Sequence, residues 1–213
     1  MTVNEPINKV NLERITNAIY AFTMTLMIRN LPTQGPGGID TAVSLANHLT
    51  VSLYAVVDFI GAFLILGMFW LFYFQIFHRM KTFDFKFLYI HLLSLMVVVF
   101  VPFTSSFSSA GKMAEVGDLL FQVNYLFLAV LLVVAWHYAR SHPELLVPEL
   151  TSAESAFLAK KFLVPFAMAF MGIAFVVAGL GYIDLLYIFP FIILGLFFRS
   201  PPVDDPVPEK TGT

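Results

Sequence analysis

Cysteine is absent from the 213-residue chain, which excludes disulfides, thiol nucleophiles and iron–sulfur ligation and leaves the redox compartment unread. Charge is scarce: Asp, Glu, Lys and Arg together make up 12% of residues, about half the share of an ordinary soluble domain. The net charge of −2 offers no basic surface for nucleic acid, so no such partner is expected. The opening residues MTVNEPINKVNLER hold no apolar run, and no cleavable signal peptide is read there. Catalytic signatures are missing as well. There is no nucleophile elbow, phosphate-binding loop, Gly-rich dinucleotide fingerprint or H-E-x-x-H spacing, so the expectation is a protein that is not an enzyme and carries no metal or cofactor.

What the chain does have is apolar surface. Hydrophobic residues make up 59%, mean hydropathy is +0.82, and there are 24 Phe, which together describe an integral membrane protein with the lipid bilayer as its first partner. Six apolar segments stand between polar breaks: Leu12 to Ile28, Leu49 to Phe77, Phe87 to Phe103, Leu119 to Tyr138, Phe157 to Leu180, and Tyr182 to Phe198. Each is near or above the ~20 residues that let a helix cross ~30 Å of hydrocarbon, the first and third being the shortest for the purpose. Continuous apolar runs favour helices over the alternating strands of a barrel. The expected class is all-α, with one six-helix transmembrane domain over residues 1–199 and a Pro-rich, disordered tail over 200–213.

Basic residues give the orientation. With a cytoplasmic N-terminus, the inner side holds Lys9, Arg14, Arg79, Lys81, Lys86, Arg140, Lys160, Lys161, Arg199 and Lys210, and the outer side only Arg29 and Lys112. Positive charge concentrates on cytoplasmic loops, so both termini are expected inside. The outer loop PTQGPGGID has the composition of a flexible turn.

Polar groups inside apolar segments are costly and therefore informative. Asp58 lies within the second segment, either as a functional carboxylate or as a structural group paired or protonated against a neighbouring helix. His91 and Asn124 suit hydrogen bonding between helices, while His78, His137 and His142 fall at inner ends. The stretch AGLGYIDL, Ala178 to Leu185, faintly resembles a potassium-filter sequence but lacks its Thr and second Gly. It joins two segments directly and reads as a plain turn. The opening segment NLERITNAIYAFTMTLMIRNLP is unusual for a lipid-facing helix, because Thr16, Asn17, Thr23 and Thr25 are scattered through it.

That segment resembles the first helix of the potassium-channel family that includes the endolysosomal transmembrane protein 175 and its shorter prokaryotic relatives. The family signature is R-x-x-x-F-S-D followed by an apolar run, and ITNAIYAFTMTL, Ile15 to Leu26, matches it in size pattern from F-S-D onward. GAFLILGMFWLFYFQIF (Gly61 to Phe77) resembles the family's second-span S-F-x-x-x-x-x-x-W-x-x-H-H-x-x-F. FDFKFLYIHLLSLMVVVFVPFTS (Phe83 to Ser105) resembles its third-span L-x-x-L-N-x-x-x-L ending in P-F. The departures are systematic. The signature Arg corresponds to Asn11, the Ser-Asp to Thr16 and Asn17, the His pair to Tyr73 and Phe74, and the third-span Asn to His91, so a charged network is expected to be rebuilt in mostly neutral form.

Ala18, Phe22, Thr25 and Arg29 recur at helical spacing and share a face, with Leu26 on its border. The resemblance implies that this face lines the pore of a homotetramer. Phe22 and Leu26 would then form an apolar constriction and Thr25 a hydroxyl layer, with potassium as the transported ion and a prokaryotic cell membrane as the location. Arg29 either places a ring of positive charge in the outer mouth, or snorkels to the interface, or pairs with Asp58 or Asp40. The expected function is cation conduction, with potassium as the ion. The alternative is a protein of the same fold with altered, anion-tolerant selectivity, or a non-conducting scaffold.

Overall fold

The structure, a computed structural model, describes residues 9–31, 42–108, 114–180 and 187–198. Every extended element among them is helical. In chain order these are α1 (Lys9–Leu26), α2 (Ala42–Arg79), α3 (Phe85–Ser108), α4 (Ala114–Ser141), α5 (Ser152–Val177) and α6 (Phe189–Phe197). Four of them contain stretches long and apolar enough to cross a membrane: Ala55–Arg79, Phe85–Phe107, Glu115–Ser141 and Ser152–Val177. The chain is a multi-pass membrane protein. α1 and α6 do not reach that measure. α6 has nine residues, about 13 Å at 1.5 Å each, so the expected sixth span from Tyr182 is seen only over its second half, residues 182–186 lying outside the described residues. The PTQGPGGID loop and the tail over 200–213 also lie outside them.

Packing follows the chain. α3 lies against α4, α4 against α5, α5 against α6, and α1 seats on α3 and α2. The core holds large rings at the helix crossings: Trp136 meets Phe162 edge-on at 5.6 Å, and Phe162 meets Phe72 at 5.2 Å. Each such pair adds about 0.5–1.5 kcal/mol beyond its burial. Small residues let the backbones approach where rings do not fit. At Gly172 a Cβ would run into the Gln122 amide on α4, so a larger residue there would have to displace that side chain from the α4–α5 contact.

Helix ends are satisfied by short polar devices. Thr151 caps α5 by accepting the Glu154 N–H at 3.1 Å, while the Glu154 carboxylate accepts from Arg79 Nε at 2.8 Å. Asp84 caps α3 through the Phe87 N–H at 3.0 Å and takes the Tyr138 hydroxyl on its other oxygen. The loop after α2 and the loop after α4 pair in an antiparallel bridge between Met80 and Leu146. At the far end of α5, Gly179 adopts φ +68°. Its N–H bonds Val176 O and the next N–H, of Leu180, bonds Phe175 O, both at 3.0 Å, the pairing of a Schellman helix stop. Gly179, the first glycine of the filter-like stretch, thus ends a helix, and residues 181–185 of that stretch lie outside the described residues.

Candidate functional site

α1 divides into two faces. Leu12, Thr16, Tyr20, Thr23 and Met27, spaced by four, four, three and four residues, are buried against the bundle. Asn11, Arg14, Ala18, Phe22, Thr25 and Arg29 are exposed, Phe22 at 63%. Leu26 is half-buried on the border. Ala18, Phe22 and Thr25, expected to line a pore, are therefore turned away from the rest of the bundle. Thr25 donates its hydroxyl proton to Ala21 O at 2.8 Å, which leaves oxygen lone pairs facing outward as acceptors.

The neutral network centres on His91. Thr16 Oγ1 lies 2.8 Å from Leu12 O and 2.7 Å from His91 Nε2. One arrangement of protons serves both contacts: the hydroxyl donates to Leu12 O while the imidazole N–H donates to the hydroxyl oxygen. His91 Nδ1 then has no partner among the described residues. Tyr73 stands edge-on to the imidazole at 4.6 Å, with Phe77 at 5.0 Å and Phe87 stacked at 6.4 Å. Apolar surroundings make the Thr16–His91 bond costly to break, since an imidazole left alone there finds no water. Thr16, Tyr73 and His91 thus come together. Asn17 does not join them; its Oδ1 accepts from Trp70 Nε1 at 2.8 Å on the exposed edge between α1 and α2. Asn11 is exposed, as is Phe74.

At the other end the chain tightens. Met27–Asn30 is a 3-10 turn, where residues three apart eclipse, so Arg29 stands over Leu26 rather than continuing the line of Ala18 and Thr25. With Leu26, Asn30, Pro102, Phe103 and Ser106 it lines a cavity of about 330 Å³. Asn30 reaches across to α3 and donates to Pro102 O at 2.9 Å and to Ser105 Oγ at 2.6 Å. Beyond Asn30 lies Asp58, half-buried, beside two spaces of about 10 Å³ that also touch Ser105. Each can hold a single water. Arg29 and Asp58 thus face different spaces, with Asn30 lining one of each. Among the described residues the ion pair is Arg79 with Glu154, and no trio of His, Asp or Glu could hold a metal.

Sequence reasoning missed several of these contacts. Trp70 is one of two tryptophans, and its N–H needs a partner in an apolar segment; that requirement was the available signal for Asn17. Arg14 lies four residues before Ala18 and so belongs to the exposed stripe. Lys9 fixes the start of α1 by donating to Met80 O at 2.9 Å, a backbone acceptor that no side-chain pattern discloses.

Residues 11–102 match the sequence model of the endosomal/lysosomal potassium channel TMEM175. Over those residues, less than half of its length, the chain is similar to the TMEM175 family. That match spans α1 to Pro102 within α3. Over a longer reach, the structure is similar to the crystal structure of a lysosomal potassium-selective channel TMEM175 homolog from Chamaesiphon minutus. The TM-score is 0.64 at 20% identity, over 86% of this chain and 96% of that one. At such identity the second likeness speaks for the TMEM175 fold alone. No curated protein matches the chain in sequence.

Proposed function

We propose that the chain is the subunit of a homotetrameric ion channel whose pore is lined by the exposed stripe of α1, and that it conducts cations, potassium first. The observation that carries this reading is the division of α1. A helix bonded to its own bundle by Thr16 and Asn30 leaves Ala18, Phe22 and Thr25 uncovered, and a threonine hydroxyl between apolar neighbours on that face suits an aqueous axis better than lipid. The TMEM175 match over the same helix supports it. In a tetramer, four Phe22 rings and four Leu26 side chains would form an apolar constriction, and four Thr25 oxygens could replace part of a cation's water shell. Concentration of Lys and Arg at one end of the bundle supports cytoplasmic termini, and the likeness to a homolog from Chamaesiphon minutus supports a prokaryotic cell membrane.

A second reading has its own observation. The exposed stripe carries Arg14 and ends beside the exposed Arg29, with no acidic residue on it, a charge pattern that repels cations and favours an altered selectivity or a non-conducting scaffold. Purified protein in liposomes separates the two when potassium and chloride flux are measured side by side. Potassium flux above chloride flux is the expected result; chloride flux alone, or none, would select the second reading. Arg29→Leu sharpens the test. It raises potassium flux if the guanidinium borders the conduction path and leaves it unchanged if Arg29 is an interfacial anchor.

A further inference from the structure

At the basic end of the bundle, away from α1, the outer surface of α4 and α5 holds a cleft of about 90 Å³. Its floor is the buried Trp136–Phe162 pair, and Val133, His137, Arg140 and Leu163 form its sides. The imidazole and the guanidinium sit one turn apart on α4, and both are exposed. Lys160, next in sequence to the cleft-lining Ala159 and three residues before Leu163 on α5, is exposed as well. None of the three takes an acid partner among the described residues, whereas Arg79, on the same end, is neutralised by Glu154.

From this cleft an apolar stripe runs along α5 toward the opposite end of the bundle. Leu163, Phe166 and Phe170 follow one another at three and four residues and are exposed at 47%, 37% and 64%, one face of a helix. Val130 and Val134 of α4 are exposed as well. Cationic groups at the end of an apolar track match a molecule with an anionic head and a long hydrocarbon tail. A soluble anion would leave the track bare, and a neutral lipid would leave the cations without a counter-charge. Basic pockets between helices on the side rich in Lys and Arg are where anionic head groups bind.

We propose that this cleft is a binding site for one anionic phospholipid of the membrane leaflet at the basic end, its phosphate held by Arg140 and Lys160 beside His137 and one acyl chain laid along Leu163, Phe166 and Phe170. The site is independent of conduction, so a failure of the channel reading leaves it standing.

The test uses the full chain, solubilised and then supplied with phosphatidylglycerol or phosphatidylcholine, with lipid retention read by native mass spectrometry and stability by thermal melting. The expected result is retention of phosphatidylglycerol over phosphatidylcholine and a higher melting temperature with the anionic lipid. Each charge removed in Arg140→Gln and Lys160→Gln should weaken retention about fivefold. Leu163 and Phe170, both exposed, can be changed together to Ser without opening the core, and that variant should also lose lipid. The proposal is overturned if the charge variants retain phosphatidylglycerol as the parent does. It is equally overturned if soluble glycerol phosphate gives the same stabilisation, or if the cleft is occupied by a second copy of the chain, seen as a change of oligomeric state in the Leu163 and Phe170 variant.

Discussion

On α1, the face turned toward α2 and α3 carries Thr16, Tyr20, Thr23 and Met27, each nearly inaccessible. The face turned away carries Arg14, Ala18, Phe22 and Thr25, each exposed. Both faces contain threonine, but the two hydroxyl types serve differently. Thr16 is tied to a histidine on another helix, so its oxygen belongs to the interior of the bundle. Thr25 is tied only to its own helix, so its oxygen remains available to whatever lies outside. The difference teaches that a polar residue in a membrane helix is informative through its partner more than through its type: the same residue is a fastening on one face and an open ligand on the other.

The largest expected effect comes from the buried face. Tyr20 is 1% exposed, and Tyr20→Ala should cost about 3–5 kcal/mol of stability, read as a large fall in melting temperature of the solubilised protein. An unchanged melting temperature would erase the distinction between the faces. Next comes the Thr16–His91 bond. Thr16→Val keeps the shape and strands the imidazole, with an expected cost of about 1–2 kcal/mol. A double-mutant cycle with His91→Leu should return a coupling near the ~0.6 kcal/mol typical of bonds between membrane helices, or above it; additive losses would mean that the two side chains do not act together. Asn30→Leu removes two bonds to α3 and should cost roughly 1 kcal/mol, with faster amide exchange confined to the ends of α1 and α3. Exchange that stays as slow as in the parent would show that the contact fastens nothing.

The exposed face should give the smallest stability changes and the clearest functional ones. Phe22→Ala and Thr25→Val are expected to shift stability by no more than about 0.5 kcal/mol. Phe22→Ala should raise ion flux in liposomes by widening a dewetted constriction, and Thr25→Val should lower the preference for potassium over sodium. Normal flux and selectivity in both variants, with the assembly intact, would remove this face from the conduction path.

Much of the fold was legible, and the reason is the solvent. Lipid demands long uninterrupted apolar helices, so α2 to α5 stand out in the sequence as segments with polar breaks between them. α1 was harder. Its segment appeared to run straight to Ile28, yet the last turn tightens after Leu26, and no proline or glycine marks the change before Pro32. That tightening displaces Arg29 from the line of Ala18 and Thr25, which spacing alone placed on one face. The union of Thr16, Tyr73 and His91 was legible because all three occupy positions where a family pattern carries polar groups. The fastening of Asn30 was not, because one of its acceptors is the backbone carbonyl of a residue 72 positions away. Asp58 stood out as a carboxylate in an apolar run, but the two water-sized spaces beside it depend on Ser105 and Asn30, which belong to other helices.

The side chains that fasten α1 also limit how it can move. Lys9 holds its start to the turn after α2, Thr16 and Asn17 hold its middle to α3 and α2, and Asn30 holds the turn that follows it to α3 again. Sliding the helix by one turn, about 5.4 Å, would break all of these contacts at once, and a rotation large enough to bury Phe22 would break the central two. A change of side-chain rotamer at Phe22 breaks none of them. The inexpensive motions left to this helix are therefore the swing of an aromatic ring and a tilt shared with α3, so that traffic along its exposed face would be controlled by side chains on a fixed rod.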